Sequence, residues 1–285
     1  MNLTKTLSAA GLLLASQLAM AAGEPARVAS FDHGSLDTLD ALGLGARVVA
    51  VPKQALPGYL EQYGAGDYAD AGGLRSPDLT ALKAANPSLI LITGRQGDMK
   101  EQLAAIAPVQ DMSLHGDGYW ESFSHKVRAL AESFGAAEAA ESALAELERS
   151  ITALRAQIDG TPSVMVVTHN DGRYSLRTEP VVAELLGLAA PALPAGVESI
   201  TNGNRTFTPL TPAQMAQAGP DALLVVDRSA AIGGEALDPA QLRQALDAEG
   251  GDAIKLTYLS PALWYLSGAG LQSVRLQAQE VAEAL

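Results

Sequence analysis

The sequence predicts an α/β protein of two related lobes, each built on a mostly parallel sheet, with a helical connector between them. Three observations carry this. Two passages echo each other without a gap, Asn86-Pro87-Ser88-Leu89-Ile90-Leu91-Ile92-Thr93-Gly94-Arg95 and Gly219-Pro220-Asp221-Ala222-Leu223-Leu224-Val225-Val226-Asp227-Arg228, 133 positions apart. The same offset lays Leu79-Thr80-Ala81-Leu82 over Pro212-Ala213-Gln214-Met215. Strand-like and helix-like stretches alternate in each half, the pattern of βα units. Between the halves lies a long region whose apolar residues recur every three or four positions.

The elements follow in order. Arg27-Val28-Ala29-Ser30-Phe31 reads as a first strand. Asp32-His33-Gly34-Ser35 is a turn carrying a helix N-cap signal, and Leu36, Leu39 and Leu42 follow at helical spacing. Arg47 to Val51 is a second strand, Pro77 to Ala85 a short helix, Leu89 to Thr93 a third strand, Asp98 to Ala105 a helix and Pro108 to Gln110 a fourth strand. In the connector, Trp120, Phe123, Val127, Leu130 and Phe134 keep helical spacing, Gly135 interrupts, and Leu144, Leu147, Ile151, Leu154 and Ile158 resume it. Asp159-Gly160-Thr161-Pro162 ends the run. This helix either bridges the lobes, covers the sheet of the first, or does both. The second lobe opens with the strand Ser163 to Val167, then a helix near Val181 to Leu188, a Pro/Gly-rich loop from Pro191 to Pro209, the echo strand Leu223 to Val226, a last strand Ile254 to Tyr258 and a terminal helix Leu271 to Ala284. Asp171-Gly172 and Asn202-Gly203-Asn204 are turn signals.

The first residues read as a cleavable signal peptide: Lys5 is the positive start, Leu12-Leu13-Leu14-Ala15 the apolar stretch and Ala19-Met20-Ala21 the cleavage site. The expected division is a signal peptide over residues 1–21, an N-terminal lobe over 22–118, a helical connector over 119–160 and a C-terminal lobe over 161–285. The chain has no cysteine, so disulfides, thiolate metal sites, cysteine nucleophiles and a lipid-modified cysteine are all excluded. A free periplasmic protein, expected as a monomer, is the consequence. A net charge of −13 makes nucleic acid and anionic membranes poor partners.

Each echo ends with an arginine just past a strand's carboxyl end, where open α/β sheets bind ligands. Two facing lobes would bring Arg95 and Arg228 into one cleft, a grip for something anionic. A surface ion pair is the competing reading for either arginine alone; their matched positions weigh against it. No Gly-x-Ser-x-Gly elbow, His-Glu-x-x-His pair or phosphate-loop spacing occurs, so the residues give a hydrolase no nucleophile paired with a base.

Several stretches together are specific. Phe31-Asp32-His33-Gly34-Ser35-Leu36-Asp37-Thr38-Leu39, Gly43-Leu44-Gly45 before Val51-Pro52-Lys53, Ser88 to Gln96, Val225-Val226-Asp227-Arg228 and Leu263-Trp264-Tyr265-Leu266-Ser267-Gly268 are similar to periplasmic ferric-siderophore binding proteins of the enterobactin/petrobactin type. The resemblance spans essentially the whole mature chain. It implies the helical-backbone periplasmic binding protein fold, two Rossmann-like lobes joined by a single long α-helix. It also implies a role without catalysis or an intrinsic cofactor: capturing an Fe(III)–catecholate siderophore between the lobes and delivering it to an inner-membrane ABC permease.

In that family three arginines meet the catecholate oxygens. Two map onto Arg95 and Arg228, and the third falls on Arg177, with Arg173 as the alternative. The family's iron-binding Tyr maps onto Tyr265; a phenol has an ordinary pKa of about 10 and bound Fe(III) supplies the shift that ionises it. The loop that carries the family's iron-binding His reads Thr201-Asn202-Gly203-Asn204-Arg205-Thr206-Phe207-Thr208, with no His. His33 or His169 is then the candidate second ligand, or Arg205 adds to anion binding and the cargo is a hexadentate chelate that needs none. The glutamates that dock the permease are replaced by Thr80 and Ala213, with Asp78 as a stand-in on the first lobe. Other readings are a binder of haem, cobalamin or another iron chelate, and a siderophore-handling accessory protein that does not dock a permease.

Overall fold

The computed structural model describes residues 26–285 apart from 55, 117 and 204. The expected signal peptide lies outside the described residues, as does the side chain of Arg205.

The first lobe is laid down by β1 (Val28–Ser30), α1 (His33–Ala41), β2 (Val48–Val51), β3 (Ala69–Asp70), β4 (Gly72–Gly73), β5 (Ser76–Pro77), α2 (Leu79–Ala85), β6 (Leu89–Ile92), α3 (Lys100–Ala104) and β7 (Val109–Asp111). Five strands form one sheet in the order β3-β2-β1-β6-β7, every pair parallel, and β4-β5 is a small antiparallel hairpin beside it. Helices cover both faces, so the central strands are apolar throughout. Val28, Val48 and Leu91 pack with Leu36, Leu39, Leu60 and Tyr63 on one face. Ala29, Ala50, Ile90 and Ile92 pack with Leu82 and Leu103 on the other.

The connector is two helices, α4 (Tyr119–Glu132) and α5 (Ala137–Arg155), broken where Gly135 takes φ 67°. Its apolar stripe, Phe123, Val127, Leu144, Leu147 and Ile151, joins Val164, Val166, Leu224 and Val226 in one core. Leu130 on α4 turns the other way, into the core of the first lobe. The connector therefore covers the second lobe's sheet and touches the first.

The second lobe comprises β8 (Val164–Asn170), β9 (Arg173–Leu176), β10 (Ile200–Asn202), β11 (Arg205–Leu210), α6 (Pro212–Ala218), β12 (Ala222–Asp227), α7 (Arg228–Ala231), α8 (Pro239–Asp247), β13 (Lys255–Leu259), α9 (Pro261–Tyr265) and α10 (Leu271–Ala284). The sheet order is β10-β11-β9-β8-β12-β13. Its β8-β12-β13 part is parallel, while β9, β11 and β10 add on antiparallel. This differs from the expected loop over 191–209, whose second half is the β10–β11 hairpin. The reversal begins at Asp171-Gly172, both at positive φ (51° and 71°), a two-residue turn whose hand suits a hairpin.

The internal echo is structural. Helices α2 (Leu79–Ala85) and α6 (Pro212–Ala218) have matching bounds at the 133-residue offset. Each ends in a left-handed residue, Asn86 or Gly219, that turns the chain into β6 or β12.

The lobes also meet directly. Asp37 on α1 accepts the amides of Gln272 (2.7 Å) and Ser273 (2.6 Å) at the N-terminus of α10, and the Tyr59 hydroxyl at 3.2 Å. Burial pushes the Asp37 carboxyl up to about 6, although those bonds favour the charged form. Beside it the backbones touch: a Cβ on Gly34 would stand 2.1 Å from the Gly268 carbonyl oxygen.

Candidate ligand-binding cleft

Strand order fixes where the cleft lies. In the first sheet β1 sits between β2 and β6, so the chain switches direction there and a crevice opens past the carboxyl ends. Asp32 and His33 follow β1, and Arg95 follows β6 in a 3₁₀ turn, Gly94–Met99. A capping box holds that turn: Thr93 and Gln96 exchange side-chain and backbone hydrogen bonds. In the second sheet Asn170 ends β8, Arg228 follows β12, and Tyr265 ends α9 just beyond β13.

Three guanidinium groups gather on three consecutive residues. Arg95 crosses from the first lobe and donates to the carbonyls of Tyr265 (2.8 Å) and Leu266 (3.3 Å). Arg177 donates to the Trp264 carbonyl at 2.9 Å and pairs with Glu179. Arg228 donates from Nε to the Tyr265 hydroxyl at 2.6 Å and from Nη1 to Asn170 Oδ1, with its guanidinium carbon 5.3 Å from the Tyr265 ring centre. Of the three, Arg177 alone has a carboxylate within 4 Å among the described residues. Burial lowers the Arg95 pKa; Asp32 and Tyr265 oppose this, and the charges of Arg75 and Arg177 add to it. Burial likewise raises the Glu179 carboxyl, against the pull of Arg177. The result is a half-buried cationic cluster in an acidic protein, held mostly by neutral oxygens.

The alternatives left open by the sequence separate here. Arg173 lines a different cavity, of about 960 Å³, within the second lobe, shared with His169, Tyr174, Glu198 and Leu237. Arg177 is the one that joins Arg95 and Arg228. His169 is engaged within the second lobe: its Nδ1 meets Asp227 at 2.9 Å, its Nε2 accepts the Gly172 amide at 3.0 Å, and it is 3% exposed. It pins the β8–β9 turn to β12. His33 is 1% exposed, with neither ring nitrogen hydrogen-bonded. The main chains of Pro52 and Leu266 face it; burial pushes it down to about 4, Asp32 working against this and Arg95 with it.

Several supports have no motif of their own. Lys126, on a helix with an otherwise ordinary amphipathic pattern, is buried against Asp32 at 2.7 Å. Burial alone would raise the Asp32 pKa; Lys126 and Ser35 more than reverse that. Asn170 and Glu179 hold Arg228 and Arg177, and the one available hint was their nearness to strand ends. Glu280 fixes α9 by accepting from Trp264 Nε1 (2.5 Å) and the Ser260 amide (2.8 Å).

Comparison with known proteins agrees with this architecture. A periplasmic binding protein family model matches residues 28–248. The petrobactin-binding protein YclQ of Bacillus subtilis (strain 168) is 32% identical over 269 residues, 92% of this chain and 83% of YclQ. The crystal structure of YclQ gives a TM-score of 0.80 at 30% identity, covering 91% of this chain and 92% of that one. The ferric-anguibactin-binding protein FatB of Vibrio anguillarum is 25% identical over 274 residues, 90% of this chain and 81% of FatB. The catecholate-siderophore binding protein VctP of Vibrio cholerae gives a TM-score of 0.73 at 25% identity, covering 91% of this chain and 94% of that one. All three relatives are named as binding proteins and not as enzymes. With the family model matched over residues 28–248 and a relative 32% identical over 92% of its length, the chain belongs to the periplasmic binding protein family.

Proposed function

We propose that this protein captures a ferric catecholate siderophore between its lobes, in the periplasm, and hands it to an inner-membrane ABC permease. The convergence of Arg95, Arg177 and Arg228 on residues 264–266 carries the reading. Ferric iron is hard and takes anionic oxygen donors. A tris-catecholate complex spreads negative charge over its oxygens, which suits planar, permanently charged, weakly hydrated guanidiniums. The names of YclQ and VctP point to the same cargo class. The signal-peptide pattern of residues 1–21 supports export.

Tyr265 stands as the protein's iron ligand for a chelate that leaves coordination positions open. With His169 engaged and His33 covered, the site suits a hexadentate chelate best. For delivery, the docking positions are Thr80 and Ala213, each the second residue of its helix, α2 or α6, and so in equivalent places on the two lobes. Neither carries charge; Asp78, beside Thr80 on the first lobe, is already the N-cap of α2.

The test is a tryptophan-fluorescence titration with ferric enterobactin. Micromolar or tighter binding is expected, lost on Arg95→Ala/Arg228→Ala. Unchanged affinity in that double variant overturns the arginine grip, and failure of the wild type to bind overturns the reading and favours a cargo that needs no arginines, such as cobalamin.

A further inference from the structure

We infer that Arg75 is the outer cation of this cleft: it draws an anionic chelate to the mouth and sets the rate of capture, while contributing little to retention. The inference rests on the proposed reading of the cleft as an anion site, and it adds a residue that no motif marks.

The geometry begins with the β4–β5 hairpin. Its tip is Leu74-Arg75, and Gly72 holds it tight: at φ 85° a Cβ there would stand 2.7 Å from the Asp78 amide nitrogen and 2.8 Å from the Ser76 carbonyl oxygen. The tip is fastened to the turn that carries Arg95. Gln96, only 1% exposed, donates from Nε2 to the Leu74 carbonyl at 2.5 Å, while its Oε1 accepts the Thr93 amide at 2.9 Å. One buried side chain thus links the residue before Arg75 to the residue after Arg95. Arg75 itself is exposed, has no carboxylate within 4 Å among the described residues, and its charge is felt at Arg95.

Position decides the role. A cation in solvent makes weak contacts, because water and salt screen it. Its field still reaches an approaching ion over about 8–10 Å at ordinary salt. The chain as a whole carries −13 and repels an anion, so an unpaired guanidinium at the rim is where attraction first exceeds repulsion. Arg95 and Arg177 lie deeper, half-buried, and act after entry. Steering of this kind changes association rates and their salt dependence, not dissociation.

The experiment is stopped-flow fluorescence with ferric enterobactin on wild type, Arg75→Glu and Lys255→Glu. The last makes the same charge change at the amino end of β13, the far end of its sheet from the cleft. For Arg75→Glu at low ionic strength, association is expected to fall about five-fold or more, the gap closing as salt shortens the Debye length to about 3 Å. Dissociation should stay within about two-fold, and Lys255→Glu should match wild type. Association by Arg75→Glu equal to that of Lys255→Glu overturns the inference and leaves the cleft assignment standing. So does a loss seen mainly in dissociation, which would make Arg75 a holding contact. Failure of the wild type to bind ferric enterobactin overturns the proposed function and this inference with it.

Discussion

Arg95 belongs to one lobe by sequence and to both by contact, since its guanidinium ends on carbonyls of the other. Arg95→Ala should weaken ferric enterobactin by about 10–150-fold, the range set by ~1.5–3 kcal/mol per charge-assisted bond. Arg228→Ala should cost a similar factor without removing a lobe contact, so the Arg95 variant alone should also unfold at lower denaturant. Tyr265→Phe keeps the ring over Arg228 and removes the phenol oxygen. It should leave hexadentate binding within a few-fold and weaken a tetradentate ferric chelate by at least about ten-fold; equal losses would end the metal role of Tyr265. His33 predicts a pH effect. Its pKa is pushed from 6.5 to about 4, so the folded protein excludes the proton. Its contribution is intact above pH 6.5 and is lost as pH falls through 4. His33→Leu should therefore remove about 2–3 kcal/mol of the acid sensitivity between those values, read from urea unfolding at pH 7 and pH 4.

At the scale of elements, the contact between α1 and the turn before α10 leaves the least room for a side chain among the described glycines. Gly34→Ala would push a methyl to 2.1 Å from a backbone carbonyl that cannot move independently. A loss of about 3 kcal/mol or more is expected in urea unfolding. Asp37 has the opposite pH sign to His33: with its pKa raised to about 6, its contribution is full below pH 3.8 and is lost as pH rises through 6. What the sequence showed about elements follows from periodicity. Strands buried on both faces, such as Leu89–Ile92 and Ala222–Asp227, read as plain apolar runs, and the echo between them was visible to the residue. The β9–β11 extension was not, because Arg173–Leu176 is short and mostly half-exposed and Ile200–Asn202 is short and exposed throughout, without the alternation that marks a strand. That gap is why Arg173 and Arg177 stayed unresolved. The turn at Asp171-Gly172 sends the chain back on itself, and pairing alone decides which arginine ends beside Trp264. Asp238-Pro239 before Leu242 and Leu246 was a usable helix signal for α8, with a cap and a Pro in the first turn.

For the whole molecule, the lobes are joined by the α4–α5 connector, by the Asp37 clasp on α10 and by Arg95. Three ties leave little room for hinge closure. Small-angle scattering should show a change in radius of gyration below about 0.5 Å on adding saturating ferric enterobactin, against the larger change of a free hinge. The two-lobe plan was legible because it repeats along the chain. The buried Lys126–Asp32 pair and the Glu280 brace were not: the first joins residues 94 positions apart, and Lys126 and Glu280 both sit in patterns of ordinary helix surfaces. The resting partners of Arg95 have a last consequence. They are peptide oxygens at the end of α9, which satisfy a guanidinium's geometry while leaving its charge whole. On the proposed reading, an anionic chelate would outcompete them without any acid having to be displaced, and after its release they would be in place to take the side chain back. Reloading would then need neither a proton nor refolding.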